Sequence, residues 1–208
     1  MIDWLKTEWY NLASKYCNAT LAETLWIEIH NNYTNKTRHY HNLSHIYNML
    51  IQAEDLKPEI QDLEALQFSI WYHDIIYKSS KKDNEEKSAL FAEKRLKTIN
   101  FDENRIKIIK KLIVSTKKHE LVLNKNLDNT YLLDLDLSVL GADWETYQKY
   151  IQNIRKEYKI YPDFMYKPGR KKVLLHFLER ETLYFTETYR NKYEVQARKN
   201  LTKEIELL

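Results

Sequence analysis

The sequence predicts an all-α fold, and three observations point that way. Only 2 glycines and 3 prolines occur in 208 residues, too little turn-forming material for a sandwich, a barrel or a doubly wound sheet. Apolar side chains recur at helical spacing through most of the chain. Short polar side chains and early acids precede several of these patterns, as helix starts require. The length suits one large domain with a sizeable core, and no repeat, low-complexity tract or linker interrupts it. One helical bundle over residues 1–208 is therefore the expectation.

Trp4, Leu5, Trp9, Leu12 and Tyr16 place a first helix over about 3–17, with Asp3 as its N-cap. Thr20 is the candidate cap for a second helix through Leu21, Leu25, Ile29 and Tyr33. The polar stretch from Asn31 to Thr37 reads as a loop, and a helix is expected from about Asn42 to Glu54. The segment KPEIQDLEALQFSIWYHDIIY has Pro58 in its first turn and acids just after it, a good start for a long helix. After the surface loop SSKKDN, Asp83 or Asn84 caps EEKSALFAEKRLKTI. Asp102 caps the next helix, whose apolar face is Ile106, Ile109 and Ile113, with Val114 at its edge. His119 to Asn129 reads as polar and irregular. Then come LLDLDLSVLG, a helix from about Trp144 to Tyr158, a loop around YPDFMYKPGR, and two closing helices.

The charges nearly cancel, with 33 basic and 30 acidic side chains and a formal net charge of +3. A nucleic-acid footprint would be larger and clustered, so no nucleic acid is expected as partner. The single cysteine, Cys17, rules out an intramolecular disulfide and a thiolate-rich zinc site, and reads as a part-buried residue of the first helix. The N-terminal MIDWLKTEWYNL carries acids early, unlike a secretory signal, and no apolar run has the length of a membrane span. A soluble cytoplasmic protein is the expectation. Among the 16 tyrosines, Tyr147, Tyr150 and Tyr158 fall at helical spacing and read as packing, whereas Tyr40 and Tyr77 flank motif residues and read as pocket walls.

Chemistry concentrates in three places. In FSIWYHDIIY, His73 and Asp74 interrupt an apolar run, where two ionisable groups are costly unless compensated. A divalent metal compensates both, because it accepts imidazole and carboxylate alike. RHYHNLSHIYNML supplies His39, His41 and His45; His41 and His45 lie one helical turn apart, and Ile46, Met49 and Leu50 make His45 the better-anchored inward residue. LLDLDLSVLG supplies Asp134 and Asp136. Taken singly, each has a plainer reading: a half-buried histidine, a helix-end pair, an N-cap.

The ordered pattern H…HD…D resembles the HD superfamily of metal-dependent phosphohydrolases. RHYHNLSHI, WYHDIIY, DNEEKSA, STKKH, LLDLDLSVLG, IRKEY and EVQARKNLTKE extend the resemblance to a subfamily of predicted phosphohydrolases, over roughly residues 35–204. It implies an HD-type bundle with its metal-binding core in about 35–140, completed by C-terminal helices in 143–207. It implies His45, His73, Asp74 and Asp136 as ligands of one divalent ion. Asp134 is the alternative to Asp136, or else a carboxylate that orients a ligand histidine. Two imidazoles and two carboxylates suit Mn, Fe, Co, Ni or Mg, with Zn also open.

Such a centre would activate a water and polarise a phosphoryl oxygen, with cations around the other oxygens. Arg38, His39, His41, Lys117, Lys118, His119, Arg155 and Arg170 are the candidates, each with a solvated helix face as the plainer reading. Glu85, with Asn84 beside it, would orient the water or protonate the leaving group, against a role as a mere helix N-terminal charge. A second metal ligand is the alternative reading of His119, His30 and His176 read as structural, and Glu194, Arg198 and Asn200 either belong to the site or close the fold by buried pairing. The implied activity is hydrolysis of a phosphomonoester or phosphoanhydride of a nucleotide or similar small metabolite, and a homodimer is among the assemblies allowed. The alternatives are a metal-dependent binding or regulatory module without turnover, and a di-iron oxygenase if His41 and His119 reach the metal.

Overall fold

Helix starts in this chain are set by short polar side chains that accept an N–H of the first turn. Asn18, Asn42, Asp62, Asp102, Asp143 and Thr186 each do so, from Leu21, Ser44, Ala65, Arg105, Thr146 and Tyr189. The computed structural model describes residues 1–123 and 126–208. Its regular elements are all helical among the described residues: α1 (Ile2–Ala13), α2 (Ala19–Tyr33), α3 (Leu43–Asp55), α4 (Leu63–Tyr72), α5 (Asn84–Thr98), α6 (Glu103–Ser115), α7 (Leu127–Leu137), α8 (Trp144–Glu157), α9 (Asp163–Leu178) and α10 (Glu187–Leu207). None of the described helices is long and apolar enough to cross a membrane.

Several boundaries differ from the sequence expectation, each for a local reason. Met1 occupies the cap position of α1, which places the Asp3 charge in the first turn, against the positive helix end. Asn18, not Thr20, caps α2. Pro58 opens only a three-residue 3-10 turn, Lys57–Glu59, and a new helix starts at Leu63. The break is held from a distance: the Asp128 carboxylate accepts the N–H groups of Gln61 and Asp62 at 2.8 and 2.9 Å. Residues 163–170, expected as a loop, are helical, and Pro168 sits inside α9. A proline there removes one intrahelical hydrogen bond, while Tyr166 and Leu174 stay buried on one face. Of the irregular stretch expected from His119 to Asn129, residues 124 and 125 lie outside the described residues, and α7 begins at Leu127.

The chain groups into two compact units, Met1–Leu132 and Leu133–Leu208, so the division falls inside α7. In the first unit α4 is buried on every side: Leu66, Phe68, Ile70, Trp71 and Tyr72 are each at most 1% exposed. Trp9 of α1 packs edge-to-face on Phe68, Trp71 and Tyr72, and Trp26 of α2 on Trp71. An ionic network fixes the start of α4. Arg105 of α6 reaches Asp62 and Glu64, and Lys15 and Tyr16 also meet Glu64. Burial acts to raise the Glu64 carboxyl, but hydrogen bonds from Tyr16, Lys15 and Arg105 outweigh it and hold the group at about 2.

In the second unit Arg170 of α9 and Glu204 of α10 form a buried bidentate pair at 2.7 and 3.0 Å, and Tyr147 of α8 donates to the same carboxylate. Asn200 donates to the carbonyls of Leu140 and Ala142. Gly141 ends a 3-10 turn, Ser138–Gly141, pressed against α10: a Cβ there would lie 2.5 Å from Cβ and 2.9 Å from Cα of Tyr193.

Two outcomes are expected. Gly141→Ala should lower thermal stability by roughly 1–3 kcal/mol, because α10 must shift. Gly169→Ala, with open space at its Cβ, should raise stability by about 0.5–1 kcal/mol in the same thermal melts. The Glu64 pairing stabilises fully above the unfolded carboxyl range and is lost as pH falls toward 2. Denaturant titrations between pH 6 and pH 2 should therefore show the wild-type advantage over Glu64→Gln, at most about 3 kcal/mol, fading with acid.

Candidate metal centre

Three short pieces of the first unit build the centre. Asn42 caps α3 and brings His45 inward in the first turn, 5% exposed. His73 follows α4 at its C-terminal end, still with helical backbone angles, and is 1% exposed. Asp74 comes next, 8% exposed. The doublet therefore stands at the end of the buried helix rather than inside it.

The geometry around His73 is specific. Its Nδ1 lies 2.9 Å from the carbonyl oxygen of Ile70, which can only accept, so Nδ1 carries the proton. The Nε2 of the neutral ring then offers a lone pair. That nitrogen lies 3.2 Å from His45 Nε2 and 3.2 Å from Asp74 Oδ2. Neighbouring ligand atoms about 2.1 Å from one ion stand about 3.0–3.4 Å apart, so this spacing suits adjacent ligands. A proton on Nε2 satisfies a single contact at a time; a metal ion satisfies all of them. His45 and His73 can hold a metal ion.

The second layer is built from Arg38, which the sequence placed against substrate. Instead its Nη1 donates to the carbonyls of His41 at 3.0 Å and Asp74 at 2.6 Å, and its Nη2 to that of Ile75 at 2.8 Å. The guanidinium also lies over the rings of Tyr33 and Tyr77, at 4.9 and 5.7 Å. A planar fork flanked by two rings and committed to carbonyls is a structural tie. Tyr33, which sequence reasoning passed over as a helix-spaced apolar residue, also donates to the carbonyl of Trp71 at 3.0 Å.

Asn84 is likewise spent. Its amide accepts from the Lys78 N–H and donates to the Lys78 carbonyl, closing the loop that precedes α5. Ser88 fastens the same loop, donating to the Ile76 carbonyl and accepting its N–H; no signal in the sequence marked it. Glu85, half-buried in the first turn of α5, has its carboxyl raised by burial and by the charge of Asp74. Tyr40 and Tyr77 lie beside His41: His41 stacks on Tyr77 at 4.1 Å, and Tyr40 lies 5.0 Å from both His41 and His45. Lys117 pairs with Glu86. His119 is half-buried past the end of α6, with a left-handed backbone (φ 50°). His30 packs against Trp26, and His176 is exposed.

The remaining candidates belong to the second unit. Arg155 is spent at the α8–α9 turn, on Asp163 and the carbonyls of Tyr158 and Tyr161, and Arg170 on Glu204. Asp134, proposed above to orient a histidine, instead accepts from the N–H groups of Phe185 and Thr186 and from the Thr186 hydroxyl, and burial pushes it up to about 6. Asp136 is half-buried near the end of α7. Glu194 pairs with Arg198 and accepts the N–H of Leu183; with Asn200 on its two carbonyls, this late segment closes the fold.

No protein-family model, no curated protein and no solved structure matches this chain.

Proposed function

We propose that this chain is a metal-dependent phosphohydrolase acting on a phosphomonoester or phosphoanhydride of a nucleotide or similar small metabolite. The observation that carries the reading is the His73 ring, whose Nδ1 is committed to Ile70 and whose Nε2 faces His45 Nε2 and Asp74 Oδ2, each at 3.2 Å. His45, His73 and Asp74 would hold the ion, and the sequence pattern names Asp136 as the fourth ligand. A bound divalent ion supplies a nucleophilic water at neutral pH and withdraws charge from a phosphoryl oxygen.

The protein's own groups have separable tasks in this reading. The Ile70 carbonyl fixes the tautomer of His73. Glu85, its carboxyl raised by burial beside Asp74, holds a proton for the leaving oxygen. His41, held flat against Tyr77, is the substrate contact nearest the ligand pair, its ring 6.2 Å from that of His45.

One observation favours a second reading. Arg38, Arg155 and Arg170 are all engaged within the protein, so fewer cations remain to surround a phosphoryl group than hydrolysis usually employs. A metal-dependent binding module without turnover needs fewer.

Purified protein should carry a first-row divalent metal, and phosphate release from a nucleotide panel should depend on it. Asp74→Ala and His73→Ala should lose metal and release together; metal retained in both would defeat the ligand assignment. Metal bound without release from any phosphoester would move the reading to the binding module. Glu85→Gln should keep the metal while release falls about 10²-fold or more. A general acid works only when protonated, so the wild-type rate should decline as pH rises through the raised Glu85 value, and the variant should lack that decline.

A further inference from the structure

The geometry points to Arg38 as a positioning residue that sets the metal centre through the main chain. The inference rests on the reading of His45, His73 and Asp74 as ligands. Arg38 lies in the segment ahead of α3, and its three short hydrogen bonds go to two different stretches of backbone. One is the His41 carbonyl, just before the helix that carries His45. The others are the carbonyls of Asp74 itself and of Ile75. A single rigid group thus joins the two segments that deliver the ligands.

The chemistry suits that task better than substrate binding. Arg38 is 9% exposed, and a buried cation is tolerated only with well-placed acceptors. Here the acceptors are three carbonyls, that of His41 ahead of α3 and those of Asp74 and Ile75 just past the end of α4. The rings of Tyr33 and Tyr77 hold the guanidinium plane. Tyr77 in turn carries His41, so the same contact fixes the pocket wall. Lysine keeps the charge but loses the fork and the stacking plane, so it can hold one segment and not both.

The test is a Co²⁺ titration of the full chain, followed by visible absorption well below the melting temperature. Arg38→Ala is compared with Arg95→Ala, which removes an ion pair to Glu28 in the same unit, far in sequence from any ligand. Arg38→Ala should bind Co²⁺ about 10–100-fold more weakly, with an altered ligand-field spectrum; Arg95→Ala should match wild type. Arg38→Lys should recover part of the affinity, and it carries the test alone if the alanine variant does not fold. In metal-free protein, the amides of Ile75 and Ile76 should exchange at least tenfold faster in Arg38→Ala. Wild-type affinity, spectrum and exchange in the Arg38 variants would overturn the inference while leaving the metal reading intact. A wild-type protein that takes up no Co²⁺ would overturn both.

Discussion

Everything near the centre answers to one constraint: a lone pair of His73 faces another imidazole nitrogen and a carboxylate oxygen in a place with almost no water. His73 Nε2 stands 3.2 Å from both His45 Nε2 and Asp74 Oδ2, a spacing at which a shared cation relieves the crowding of lone pairs. The Ile70 carbonyl imposes this by claiming the other ring nitrogen. Ending α4 at Tyr72 leaves the doublet at the helix end, with His73 Nε2 3.2 Å from Asp74 Oδ2. The apolar packing of Trp9 on Phe68 and Trp71 anchors the helix that ends there.

A second theme is how many cations the fold consumes. Arg38 fastens carbonyls, Arg155 fastens the turn into α9, Arg170 meets Glu204 and Arg198 meets Glu194. Each is a planar fork used where one group must satisfy several acceptors at once. A chain with 2 glycines has few tight turns, and its long connections carry carbonyls that need donors. Arginine supplies these at a distance. Residues that look like phosphate ligands in a sequence thus carry intramolecular hydrogen bonds in the folded protein.

The helical class, most helix positions, and caps such as Asp102 were legible because they depend on neighbours within four residues. The closeness of His45 and His73 was legible because ionisable groups in apolar runs demand an explanation. What could not be read depended on partners far away. Asp134 looked like an inner carboxylate, yet its oxygens meet backbone N–H groups some fifty positions on. Pro168 looked like a loop signal, but burial of Tyr166 and Leu174 outweighs one missing hydrogen bond. The carbonyl partners of Arg38 were not legible either, since residue type shows that a fork is present and not what it grips.

Asp128 adds a consequence for the chain as it is made. The amides of Gln61 and Asp62, just ahead of the helix that ends in His73, find their acceptor 67 and 66 residues downstream. A nascent chain emerging from the ribosome has therefore produced α1 through α6 before the entrance to α4 can be fastened. Local sequence starts that helix, through Asp62 and Ala65, but its alignment is sealed only by a later arrival. The Asp128 clasp on the entrance to that helix is consequently a late addition in synthesis, although the residues it holds are among the early ones.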